Sequence, residues 1–412
     1  MTTNKSNSST TKILAIAIVI ALLGVGFGGY EALQPRNNGS AEVTLTSIVA
    51  GSTSTVTVAI TKATIVTVTE GVQQQANVTK ITAGNATSGP QGMAFDPANN
   101  EIYVALENSV SVAVLNASTN KLITTIHLPT DDEPVSLAYD SANGMLYVAN
   151  VNPNCTTPTV PNCTIPVINT KTNAVTAEIP TGDTTNAVGV DNTTNTIFAT
   201  SNDGDEVFIA NGATNQATYF QNHTSIPDNS EGLAIDSSKH LAIVGNWYDD
   251  RAQAQIGFVG TTSGGQCLPI KPYLGNSNGY CMTKILGIDG GTIDGVAVNQ
   301  KTGMIYVANY KGNVVNVISE STGKDVANIT APSPAGVDVD PSSNTVYVAS
   351  NSTSTNSLFV ISGSTNSIVL TVPMGAGTGP ANVLFDPRTD TVYVSNANTG
   401  TVEAVDLAGL SL

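Results

Sequence analysis

Charge is scarce in this sequence: Lys, Arg, Asp and Glu together make up 11% of its 412 residues, and only 15 of the charged residues are basic. With a formal net charge of −16, the chain lacks the Lys and Arg that neutralise phosphates, so nucleic acid is excluded as a partner. Aromatic residues are also few, with a single tryptophan, and the three histidines, His127, His223 and His240, do not converge in sequence position. No C-x-x-C, C-x-x-C-H, H-E-x-x-H or Gly-Lys phosphate loop occurs. The haem, zinc-protease and nucleotide motifs are thus missing. The four cysteines form two local pairs, Cys155 with Cys163 and Cys267 with Cys281, which predict two loop-closing disulfides and an oxidising compartment.

Thr, Ser, Asn, Gly and Val fill the composition instead, which favours short strands and turns over helices. One exception stands near the start. Residues 1–12 are polar with two lysines, and 13–29 contain no charge at all. Such a run is long enough to cross a bilayer as a helix, and Lys5 and Lys12 before it place the N-terminus inside and the remainder outside. The segment 13–30 therefore reads as a retained single-pass anchor or a cleaved signal peptide. Both assign the rest to the extracellular face of the membrane or to secretion. N-x-S/T sequons at Asn38, Asn77, Asn85, Asn116, Asn154, Asn162, Asn192, Asn222, Asn328 and Asn351 predict a glycosylated surface.

The strand "NTVYVASN" (344–351) recurs as "GMIYVANY", "GMLYVANV", "DTVYVSNA" and "NEIYVALE". Setting the register on the polar residue that ends the preceding strand gives Asp96, Asp140, Asp191, Asp236, Asn299, Asp340 and Asp386. Seven residues after each comes Tyr103, Tyr147, Phe198, Ile243, Tyr306, Tyr347 or Tyr393. Seven units at 41- to 63-residue intervals are the spacing of four-stranded propeller blades. "VTKITAG" (78–84) is a fourth strand without predecessors and "VEAVDL" (402–407) a third without a successor, so Val78 to Ile81 is expected beside Val402 to Val405, closing the ring. The expected fold is an all-β, seven-bladed β-propeller over 76–412, preceded by a β-prone stalk at 31–75.

Two stretches, "VAVNQKTGMIYVANYKGNVVNVI" and "GVDVDPSSNTVYVAS", carry a resemblance to the YVTN family of β-propellers of archaeal and bacterial surface-layer and cell-surface proteins. That resemblance implies a propeller and a surface role, and no single chemistry.

Residues five before each register position are expected to ring the channel mouth: Gln91, Val135, Asn186, Glu231, Asp294, Ala335 and Ala381. Glu231 and Asp294 are neighbouring acids, and Asn246 and Asn309 end second strands on the same side, which suits a Ca²⁺ ion or another divalent cation. The alternative for the asparagines is that each bonds its own turn. Trp247 and Tyr248, in a long loop on that face, suit a sugar or a protein partner. The leading expectation is an extracellular binding, adhesion or cell-envelope structural propeller, with envelope proteins or glycans as partners and no cofactor. The alternative is a metal-dependent hydrolase or lyase of lactonase type. The alternating stretch with Val56, Val58, Ile60, Val66 and Val68 predicts a strand that folds on its own chain, is glycosylated, or assembles with another subunit through 56–69.

Overall fold

The computed structural model describes residues 29–32, 41–49, 52–60, 76–129, 132–152, 155, 163–201, 206–221, 230–246, 254–261, 280–288, 291–353 and 355–410. They divide into two compact units, 1–73 and 74–412. In the first, Gly29–Ala32 pairs with Ala41–Val49, which pairs in turn with Ser52–Ile60. The strand over 52–60 thus pairs along one edge within its own chain. Gly29 and Tyr30, placed by the sequence at the end of the apolar segment, begin a strand; residues 13–28 and 61–75 lie outside the described residues. Among the described residues no helix is long and apolar enough to cross a membrane.

The second unit is an all-β, seven-bladed propeller. Blade 1 runs Pro90–Asp96, Glu101–Leu106, Ser111–Asn116 and Lys121–His127 from the axis outward, and blades 2 to 6 repeat that order. Blade 7 takes its first three strands, Pro380–Asp386, Thr391–Asn396 and Thr401–Asp406, from the C-terminal end and its outermost, Asn77–Thr82, from the other end. Val402 pairs with Ile81 and Val405 with Val78, the expected closure.

Each blade hides both faces. Thr345–Ser350 is buried at every position, whereas the outer strand Ser367–Pro373 alternates. The alternation of valine with small polar residues in "TVYVAS" therefore does not separate a wet face from a dry one. The small side chains pack against the neighbouring blade on the second face. Clusters span the seams: Ile102, Val104 and Leu115 of blade 1 pack with Tyr393 and Val402 of blade 7.

The register aspartates make the base turns. Asp96 Oδ1 accepts the Ala98 N–H at 2.8 Å and Asp340 Oδ1 the Ser342 N–H at 2.8 Å, and Asn100 and Asn344 take the left-handed conformation that ends the turn. In blades 1 and 7 the repeated tyrosine then staples one blade to the next. Tyr103 Oη donates to Asn173 Oδ1 of blade 2 at 2.8 Å, and Tyr393 Oη donates to the Ala117 carbonyl of blade 1 at 3.0 Å.

At the opposite end every inner strand carries a β-bulge. The ladder to the second strand skips Gln91, Val135, Asn186, Glu231, Asp294, Ala335 and Ala381, in each case the residue five before the register position. Small residues follow the bulge, because the next blade's inner strand arrives there. A Cβ on Gly295 would lie 2.5 Å from the Ala335 carbonyl oxygen, and one on Gly336 would lie 2.9 Å from that of Ala381. Gly295→Ala is expected to destabilise the propeller by about 1–3 kcal/mol through this backbone clash, read as a lowered midpoint in denaturant unfolding.

Candidate channel-mouth site

The inner strands of all seven blades enclose an axial channel of about 330 Å³, lined by Gly92, Ser136, Ala187, Glu231, Asp294 and Asp338 among others. A bulge turns a side chain out of the ladder, and in two adjacent blades that side chain is acidic. Glu231 and Asp294 therefore stand together at the mouth, and the close approach of the two inner strands keeps them there.

Burial raises the pKa of Glu231 to about 7, with the Glu107 charge across the mouth adding to the effect. Burial likewise pushes Asp294 up to about 9; the Glu231 charge adds to this and Lys311 opposes it. Oδ1 of Asp294 has no hydrogen-bond partner among the described residues. Near neutral pH the pair thus holds protons that an exposed pair would release. Deeper in the channel, Asp338 is raised to about 6 by burial, although it accepts the Phe385 and Val339 N–H groups at 2.8 Å each. Chemically the mouth is a proton-holding dicarboxyl site, suited to trade its protons for a cation or to act as a general acid beside a carboxylate.

The other sequence-predicted residues are dispersed. Gln91 donates to Glu107 Oε2 at 2.7 Å, which fixes that carboxylate at the mouth. Asn186 occupies the blade 3 bulge. Asn246 Oδ1 accepts the Gln255 N–H at 2.6 Å, and Asn309 Oδ1 accepts the Gly312 N–H at 2.9 Å, so both carboxamides serve their own loops. Among the described residues no group of three His, Cys, Asp or Glu side chains is placed to hold a metal ion. Trp247 and Tyr248 lie outside the described residues, as does Cys267; Cys281 falls in Tyr280–Ile288. Cys155 and Cys163 are joined, pinning the loop between the second and third strands of blade 2 on the mouth face. Of the sequon asparagines, Asn77, Asn85, Asn192 and Asn328 are exposed, Asn116 and Asn351 are half-buried, and Asn38, Asn154, Asn162 and Asn222 lie outside the described residues.

Sequence reasoning missed Glu107 and Asp338. Glu107 opens a single helical turn after a second strand, where no repeat position marks it. Asp338 had a signal in "GVDVD": an acid at an inner-strand position where the other blades carry Ala94, Ala138, Gly189, Ala234, Ala297 and Leu384.

No family model and no curated protein match the chain. Among solved structures it is similar to a chain of Kuenenia stuttgartiensis hydrazine synthase, with a TM-score of 0.65 and 13% identity over 82% of this chain and 99% of that one. At that identity the likeness shows the propeller fold alone.

The raised acids fix a pH dependence. Protons held by folded Glu231 and Asp294 are released on unfolding above the ordinary values of 4.5 and 3.8. Their contribution to stability is therefore complete below that range and is lost as pH rises through about 7 and about 9. Unfolding measured at about pH 5 and about pH 8 is expected to show wild type less stable at the higher pH, and Asp294→Asn to shrink that difference by roughly 1–4 kcal/mol.

Proposed function

We propose that this chain is an exported propeller of YVTN type that works as a binding module outside the cell, and that the mouth of its channel takes a cationic group. The observation that carries the reading is the Glu231–Asp294 pair, set in the channel mouth with Asp294 Oδ1 unpartnered. Supporting it, the Cys155–Cys163 disulfide braces a loop of that same face and belongs to an oxidising compartment. The uncharged segment 13–29 behind two lysines is an export signal or an anchor, and the exposed sequons suit a glycosylated envelope protein whose partners are envelope proteins or glycans.

The ligand is a divalent cation such as Ca²⁺, or an ammonium group presented by a partner. Binding displaces the protons on the two acids, so affinity increases with pH. A second reading, a hydrolase or lyase of lactonase type, is favoured by the same pair, since a protonated acid beside a carboxylate can supply acid–base chemistry and a cation there would polarise a carbonyl.

Calorimetric titration of Ca²⁺ into residues 74–412 tests both. The expected result is one site, with proton release, tightening roughly 10²- to 10³-fold between about pH 6 and about pH 8, and absent in Glu231→Gln/Asp294→Asn. Wild type without binding heat for Ca²⁺ or for a simple diamine would overturn the cation reading. Cation-dependent hydrolysis of lactones or esters, lost in the same variant, would move the assignment to the enzyme.

A further inference from the structure

The base turns hold the blades to one another, with neutral groups at the seams that follow blades 1 and 2 and with the Arg388 guanidinium, which donates to Asn100 Oδ1, where blade 7 meets blade 1. Besides the tyrosine hydroxyls, the residue three after the register position reaches across: Asn99 Nδ2 donates to the Thr170 carbonyl of blade 2 at 3.0 Å, and Asn143 Nδ2 donates to Asn195 Oδ1 of blade 3 at 3.1 Å. Blade 4 departs from this pattern on both sides. The tyrosine position is Phe198 in blade 3 and Ile243 in blade 4, so neither side chain can supply the phenolic hydroxyl at the seams on either side of blade 4.

In their place stand two consecutive basic residues of the blade 4 turn. Lys239 Nζ reaches forward to Glu320, in the turn between the third and fourth strands of blade 5, while also bonding Asp236 at 3.1 Å. His240 Nδ1 reaches back to Asp191 Oδ2 of blade 3 at 2.7 Å. His240 stands in the left-handed conformation at φ 53°, where blades 1, 3 and 6 carry Asn100, Asn195 and Asn344. The carboxylate partners are buried, with side-chain exposures of 5% for Glu320 and 1% for Asp191, so each basic group occupies a place made for it.

Both seams of blade 4 are therefore held at the base by contacts to buried carboxylates, an ion pair from Lys239 and a hydrogen bond from His240, and blade 4 is also the blade that carries Glu231. Its inner strand Ser230–Asp236 runs directly from the mouth to the base turn. A tilt of blade 4 on its base contacts changes the distance from Glu231 to Asp294 of blade 5. We infer that blade 4 is the adjustable blade of the ring, and that Lys239 and His240 are positioning residues that set the channel-mouth pair through it. The inference rests on the channel-mouth reading for its functional consequence, and on the seam contacts alone for the motion.

Hydrogen exchange on the full chain, read by mass spectrometry at about 50 mM and about 1 M NaCl, tests it without any ligand. The expected result is that peptides covering Ser230–Asp236 and Leu241–Asn246 exchange about three- to tenfold faster at high salt, while those covering Pro334–Asp340 and Thr345–Ser350 are unchanged. Lys239→Met/His240→Asn, which restores the repeat's own residue at the left-handed position, is expected to exchange fast in blade 4 at both salt concentrations. Lys239→Arg, which keeps the charge, is expected to retain the salt response. A merely structural contribution would move all blades together, and that uniform change, or a double variant that still responds to salt, would overturn the inference. A failed calcium titration alongside the expected exchange pattern would remove the channel-mouth reading and leave the adjustable blade.

Discussion

Seven strands must meet around one axis, and the space they leave each other governs the rest of this structure. Where the inner strands converge there is no room for a side chain directed at the neighbour, so glycine follows the bulge in blades 1, 4, 5 and 6, at Gly92, Gly232, Gly295 and Gly336. The bulge itself is the other half of that solution. It inserts one residue that cannot pair and sends its side chain to the mouth. The chemistry of the mouth is thus decided by seven positions whose backbone is dictated by packing, which leaves their side chains free to vary from Ala335 and Ala381 to Glu231 and Asp294.

Two acids at adjacent bulges are costly in a chain with so few cations. The charge surplus of −16 favours a soluble surface, but at Asp294 the same sign is opposed, among the described residues, by Lys311, and the acids respond by keeping their protons. The three channel carboxyls differ in what restrains them. Asp338 has two backbone donors and is shifted least, whereas Asp294 has an oxygen with no partner and is shifted most.

The ring and its closure were legible because a repeat multiplies a weak local signal. One "TVYVAS" is an ambiguous apolar run, but its recurrence with an aspartate seven residues before the tyrosine fixes strand, turn and blade together. The bulge position was legible for the same reason, as a constant offset from the register. What could not be read were the departures: whether Asn246 and Asn309 face a cation or their own loops depends on loop geometry that no periodicity encodes. The histidines were dismissed for failing to converge with one another. His240 matters instead because it replaces an asparagine, and Phe198 and Ile243, visible as exceptions, mark seams whose meaning appears only when Asp191 and Glu320 are seen opposite them.

The strand exchange in blade 7 also orders the molecule in time. Asn77–Thr82 is the first propeller strand to leave the ribosome and its partner Thr401–Asp406 the last of the described strands. During synthesis the growing chain is an open crescent with two unfinished faces, one on blade 1 and one on the latest blade made, each of the apolar character that later forms a seam. Exposed apolar faces and unpaired strand edges of this kind make a partly folded chain prone to aggregate. The hand-over from open chain to closed ring is therefore a single late event, and any factor that guards the protein in transit has to cover those two faces until it occurs.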